Sequence, residues 1–112
     1  MSGQDLMEQM REQRRLLIDT VSAMKITGRQ LAGATRDYKI ALRKEILRLH
    51  VSDGVAWTAC YELALGEEKV AELRFTRDIR QSDYDVCIEK INACKLEIRI
   101  LEDEIEHERQ GT

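Results

Sequence analysis

Three arginines stand at intervals of three residues in the second half of the chain, and the last two occupy positions where the surrounding pattern calls for apolar side chains. They are Arg74, Arg77 and Arg80. Three aromatic and two basic residues would join them if the chain folds back on itself: Phe75, Tyr84, Trp57, Arg43 and Lys44. Guanidinium groups beside aromatic rings can grip phosphates and stack on bases, and the same residue types anchor protein interfaces. These eight residues form the candidate binding site for a partner or ligand.

Three interpretations of this arginine group stay open. A buried arginine without a partner is costly, so these side chains must be paired, exposed or bound. First, nearby carboxylates could pair with them in a polar layer that fixes helix register, and the candidates are Asp37, Glu45, Glu72 and Asp78. Second, a partner protein could cover them, and third, a nucleotide or nucleic acid could.

Residue combinations that support catalysis are missing. The two histidines, His50 and His107, are predicted to lie near opposite ends of their helices, where a histidine usually complements the helix dipole. There is no Gly-rich phosphate loop, nucleophile elbow or HExxH motif. The acidic run near the C-terminus fits a solvated helix face. We therefore expect no enzymatic activity, no metal site and no cofactor.

The three cysteines, Cys60, Cys87 and Cys94, are an odd number and lack metal-binding spacing. We expect them to be buried and reduced, as is usual in a cytoplasmic protein. The N-terminus is polar rather than signal-like, and no apolar run is long enough to cross a membrane. The sequence therefore predicts a cytoplasmic protein that does not enter the membrane.

The elements that must position the arginines are indicated by two apolar stripes at heptad spacing. The first contains Leu17, Val21, Met24, Gly28, Leu31, Thr35, Tyr38, Leu42, Glu45 and Leu49. The second contains Val70, Leu73, Arg77, Arg80, Tyr84, Cys87, Ile91, Cys94, Ile98, Leu101 and Ile105. A 3.5-residue repeat of this length predicts long helices that bury one face against each other.

Local signals divide the chain into three helices within a single domain, residues 1–112. Ser2 and Asp5 resemble a helix-start box, and Ser52-Asp53-Gly54 marks a break. We predict helices over about 3–50, 56–65 and 67–108, with Gly66 ending the short helix in the left-handed conformation. The fold class is all-α: an antiparallel hairpin of two long helices joined by a short corner helix, coiled-coil-like and self-associating into a bundle.

Charge is distributed unevenly along the chain. Residues 1–50 hold ten Lys/Arg and six Asp/Glu, whereas residues 51–112 hold eight and fifteen, and the net charge is −3. An acidic balance argues against strong non-specific binding to nucleic acid. Two long helices have a thin core when they pair only with each other, so we expect a homo-oligomer. Small residues at Gly28 and Thr35 suit close helix approach, although a kink near residues 26–34 is the competing interpretation.

One block of the chain is characteristic: Gly66-Glu67-Glu68-Lys69-Val70-Ala71-Glu72-Leu73-Arg74-Phe75-Thr76-Arg77-Asp78. With Leu31-Ala32, Asp37-Tyr38, Leu42 to Leu47 and Asp53-Gly54-Val55, it resembles a family of small uncharacterised helical proteins of Firmicutes phages and prophages. The family often has proline where this chain has Ala56. The resemblance covers about residues 20–105 and implies a phage setting, beside genes for single-strand binding and recombination, in the cytoplasm of a host bacterium. It implies no activity and no site residue.

These observations together predict a non-enzymatic, phage-encoded interaction protein. The first expectation is an oligomeric accessory factor in phage early functions or DNA metabolism, whose partners are a second copy of itself and another protein. Binding of nucleic acid or a nucleotide is the weaker expectation for the partner. The alternative function is counter-defence, by inhibition of a host immune complex or sequestration of a nucleotide signal.

Overall fold

A computed structural model describes residues 2–111 of the chain and contains three helices in that range. They are α1 (Gly3–Asp53), α2 (Trp57–Leu65) and α3 (Glu68–Gln110). The long helices α1 and α3 pack against each other, with the short α2 between them in the chain. The predicted all-α hairpin is therefore confirmed. The long helices extend two or three residues beyond their predicted ends, and α2 begins one residue later.

The helix ends follow from local capping. The Ser2 Oγ accepts a hydrogen bond from the Asp5 backbone N–H at 3.2 Å and donates one to the Asp5 carboxylate at 2.9 Å, which confirms the helix-start box. Gly54, with a φ of 68°, ends α1 in the left-handed region as predicted. Glu67 caps α3, because its Oε2 accepts the Val70 N–H at 2.8 Å.

One feature of the corner differs from prediction, and a second concerns the position where the resembled family often has proline. Gly66 has a φ of −86° and a ψ of −6°, so the predicted left-handed ending of the short helix is wrong. Its N–H instead bonds to the Leu63 carbonyl at 3.2 Å, a tighter last turn that any residue can adopt. Ala56 has a φ of −61° and an extended ψ of 142°. The backbone thus takes the φ that proline would impose, and α2 starts sharply without one.

Every position of the two predicted stripes is buried or half-buried. The chain forms two compact units, one containing residues up to Ile26 and from Asp85 onward, the other containing Thr27–Tyr84. Two clusters provide much of their cores. In the first unit the cluster contains Leu6, Met10, Leu101, Ile98 and Ile105. In the second it contains Leu49, Cys60, Ala64, Leu42, Ile46 and Val55.

Glycine and cysteine contribute to the packing of this thin core. A Cβ at Gly28 would lie 3.3 Å from Cε1 of the half-buried Tyr84, so glycine lets the tyrosine ring approach the α1 backbone. The cysteines Cys60, Cys87 and Cys94 are all free and buried, as predicted. Within residues 2–111, no helix has the length and apolar character that a membrane span requires.

Candidate partner-binding groove

The structure brings two of the eight predicted site residues, Arg43 and Trp57, to one open groove of about 500 Å³. It lies between the last third of α1 and the start of α2. We call it the Trp57 groove, and its lining residues are Lys39, Leu42, Arg43, Ile46, Leu47 and Trp57. Four of the six are apolar, and the two cations lie one helical turn apart on α1. The groove can therefore hold an apolar side chain with negative charge beside it.

Trp57 is held in place but remains open to solvent. Its indole stacks on the His50 imidazole, with ring centroids 3.7 Å apart and an interplanar angle of 19°. His50 Nδ1 lies 2.8 Å from the Val55 carbonyl oxygen, a contact in which the ring nitrogen must be the donor. The Trp57 side chain is nevertheless 56% exposed. A fixed, exposed tryptophan supplies contact area at little further cost in side-chain entropy.

The short connection after α1 places Trp57 at the edge of the groove. The Val55 N–H bonds to the Leu49 carbonyl at 3.0 Å, directly after the left-handed Gly54. Cys60, fully buried, donates from Sγ to the Val55 carbonyl at 3.5 Å. Cys60 and Ala64 thus plug this end of the hairpin. From the sequence, Trp57 and its neighbours are expected to plug this end; the neighbour Cys60 does so, whereas Trp57 is exposed.

Lys39 and Arg43 give the groove a basic rim. Both are exposed, and neither takes part in an ion pair within residues 2–111. Other arginines of α1 pair with nearby carboxylates: Arg15 with Glu12, Arg36 with Asp37, and Arg48 with Glu45 and Asp53. Two like charges at i and i+4 repel by a few tenths of a kcal/mol, roughly 0.2–0.5. An anionic partner would relieve that repulsion.

Arg77 and Arg80, the arginines that interrupt the second stripe, are engaged within the protein. The Arg77 guanidinium carbon lies 4.9 Å from the centroid of the buried Tyr38 ring, and its Nε donates to Asp78 at 2.9 Å. Arg80 donates to Gln30 across the hairpin at 3.3 Å and lies 3.7 Å from Asp83. These contacts support the polar-layer interpretation, with Asp78 as one of its four predicted carboxylates.

The other predicted site residues lie apart from the groove. Arg74 and Phe75 are exposed on α3, and Tyr84 packs against Gly28. Lys44 lies in a second open groove, of about 450 Å³, together with Glu45, Arg48 and Glu67. Sequence reasoning placed all eight residues in one region; the structure distributes them over several surfaces.

Glu45 and Arg48 form the tightest ion pair of the described residues. Arg48 Nη2 lies 2.6 Å from one Glu45 carboxylate oxygen, and its Nε donates to the other at 3.0 Å. This hydrogen bonding lowers the pKa of Glu45, and the same contacts raise the pKa of Arg48. The pair keeps a fixed negative and positive charge on this face of α1.

Sequence reasoning missed three contributors to the groove. Leu47 and Ile46 stand off the heptad stripe, and His50 was assigned only to the helix dipole. The sequence did contain a sign of this second apolar face of α1, because Ile40 and Leu47 are seven residues apart. In the structure these two residues are 48% and 44% exposed.

Across residues 2–111, no cluster of three or more His, Cys, Asp or Glu side chains could hold a metal ion. No family model, curated protein or solved structure matches the chain.

Proposed function

We propose that the chain is a non-enzymatic interaction protein that binds a segment of a partner protein in the Trp57 groove. One observation carries the proposal: an exposed tryptophan, fixed by stacking on His50, borders an apolar groove whose rim holds two unpaired cations. Tryptophan and arginine are enriched among residues that dominate protein–protein binding energy.

The lining chemistry defines the partner segment. Leu42, Ile46 and Leu47 require a bulky apolar side chain, and Lys39 and Arg43 favour aspartate or glutamate beside it. Nucleic acid is a poorer fit, because the lining has two cations only and the chain carries a net charge of −3. Arg77 and Arg80, the residues that suggested phosphate binding, already have contacts within the protein.

The resemblance to phage proteins directs the search for the partner. An accessory factor in phage early functions or DNA metabolism would bind a replication or recombination protein. A counter-defence protein would bind one component of a host immune complex through the same groove. The identity of the captured protein distinguishes these two roles.

The test compares Trp57→Ala with Tyr61→Ala as bait in infected host cells. Tyr61 lies one turn further along α2, is 50% exposed and does not line the groove, so it is a matched control. We expect wild type and Tyr61→Ala to capture the same protein, and Trp57→Ala to lose it. With the purified partner, calorimetry should show Kd raised about 30-fold or more by Trp57→Ala, since a loss of about 2 kcal/mol is typical of a central tryptophan.

A second comparison tests the rim charges. Lys39→Glu with Arg43→Glu should weaken binding and remove its weakening by salt, because the introduced carboxylates repel the acidic segment that the cations attract. Lys25→Glu with Arg29→Glu makes the same charge change at the same spacing on α1, outside the groove, and should leave Kd nearly unchanged. Equal effects of the two pairs, or capture that survives Trp57→Ala, would contradict the proposal.

A further inference from the structure

A second set of apolar residues runs along α3 at heptad spacing. It lies on the side opposite to the buried stripe, which is the second stripe described above, Val70 to Ile105. Alternate steps of four and three give eight positions, of which six are apolar: Phe75, Ile79, Val86, Ala93, Leu96 and Ile100. At 100° per residue, their mean direction lies roughly 160° from that of the buried stripe. We call these eight positions the outer stripe; the other two hold Ser82 and Glu89.

The outer stripe is exposed along its length. Phe75 is 66% exposed and Leu96 is 56% exposed, and even the least exposed large residue, Ile100, is at 41%. Single exposed apolar residues are ordinary, but a 3.5-residue repeat on one face is the seam of a coiled coil. α3 therefore carries apolar seams on two opposite faces, and only one of them is covered.

We propose that a second copy of this chain covers the outer stripe, with the two α3 helices antiparallel. In one register, the numbers of the two residues that face each other across the seam add up to 175. Every outer-stripe position then faces an outer-stripe position of the second copy. Phe75 faces Ile100 of the second copy, and Ile79 faces its Leu96. Glu89 then faces Val86, so no carboxylate meets another inside the seam.

The charges beside the seam match in this arrangement. On the two flanks of the seam the facing residue numbers add up to 173 and 177, so Asp83 faces Lys90 of the second copy and Asp78 faces its Arg99; the two-fold symmetry makes each pair occur twice. Lys90 and Arg99 are exposed, and neither has an ion pair within the described residues. In a parallel arrangement Asp85 would face Lys90, but Glu89 would face Glu89 and Asp78 would face Asp83. Flanking charges of this kind set helix orientation, and here they favour the antiparallel pair.

Sedimentation equilibrium of the full chain tests the dimer. We expect wild type to sediment at twice the 13.0 kDa of one chain at micromolar concentrations. Ile79→Glu with Leu96→Glu, which face each other across the seam, should raise the dissociation constant about 100-fold or more while helicity by circular dichroism is retained. Ile18→Glu with Ile26→Glu, two exposed positions of α1, should leave the dimer intact. A monomeric wild type, or equal dissociation by both double variants, overturns the proposal.

Charge reversal tests the orientation. Lys90→Glu should weaken the dimer about 10-fold, and adding Asp83→Lys should restore it, because the pair is re-formed with its signs exchanged. Adding Asp85→Lys instead should not restore it, since Asp85 faces Lys90 only when the helices are parallel. Rescue by Asp85→Lys and not by Asp83→Lys would overturn the antiparallel arrangement.

Discussion

Arg77 illustrates how a charged side chain can occupy an apolar seam. Its guanidinium lies over the buried Tyr38 ring, and its Nε is satisfied by Asp78 at 2.9 Å. Cation–π contacts with Arg are worth about 0.5–1 kcal/mol or more as they become desolvated. The seam therefore tolerates the charge because the ring and the carboxylate replace the lost water.

The Glu45–Arg48 pair predicts how stability depends on pH. The pKa of Glu45 is below its ordinary value of 4.5 in the folded chain, so the unfolded chain binds this proton more readily. The stabilisation is thus complete above pH 4.5 and is lost as pH falls toward the lower, folded pKa. Glu45→Gln should remove this part of the acid sensitivity, an effect of about 2 °C or less in Tm because Arg48 is half exposed.

Thermal melts of wild type and Glu45→Gln between pH 6 and pH 3 measure the difference. Glu62→Gln is the control, because Glu62 is exposed on α2 and forms no ion pair in the described part of the chain. If the melts of Glu45→Gln and wild type stay parallel throughout this range, the pair does not contribute in solution.

At the level of elements, α1 remains one helix across two internal glycines that have different surroundings. Gly28 lies against Tyr84, so a Cβ there would meet the ring at 3.3 Å. Gly33 has open space around its Cβ position, with no atom within 4 Å apart from its chain neighbours and the adjoining helix backbone. Glycine is therefore needed for packing at the first position only.

Alanine substitution should separate the two glycines. Gly33→Ala should raise the free energy of unfolding by about 1 kcal/mol, the difference in helix propensity between the two residues. Gly28→Ala gains the same propensity but must displace the Tyr84 ring, so its net change should be near zero or negative. Urea unfolding of both variants is the measurement, and an equal gain would show that the ring moves freely.

The elements were largely predictable because heptad spacing is a local property of the sequence. The same rule, applied in a second phase, would also have found the outer stripe of α3. Stepped back from Leu17 by three and then four residues, the first stripe reaches Arg14 and Met10, and Met10 is 3% exposed. The exposure of Trp57 was not predictable, because it depends on the left-handed conformation of Gly54 and on the hydrogen bond from the Val55 N–H to the Leu49 carbonyl, six residues earlier.

At the level of the whole molecule, the two compact units bury their thiols differently. Cys60 is completely inaccessible in the unit that contains all three helices. Cys87 and Cys94 are 8% and 3% exposed in the unit that has only the two long helices. The cysteines therefore report on the two units separately.

Thiol labelling should reveal the order in which the units open. The unit that includes the short helix must expose more apolar surface when it unfolds locally, so its opening costs more free energy. Cys60 should therefore react last at low denaturant. Cys87 and Cys94 should react together and earlier, as members of one cooperative unit. Peptide-resolved mass spectrometry after timed alkylation gives the three rates. Identical rates for all three thiols would mean that the hairpin opens in a single cooperative step.

The stacking of Trp57 on His50 has an optical consequence. Trp57 is the only tryptophan of the chain, so all indole fluorescence arises at the groove. Its solvent exposure predicts red-shifted emission, and the imidazole at 3.7 Å is positioned to quench it. A molecule that covers the groove should shift the emission to shorter wavelength, whereas one that binds elsewhere should leave the spectrum unchanged. The protein thus carries its own label-free reporter of occupancy.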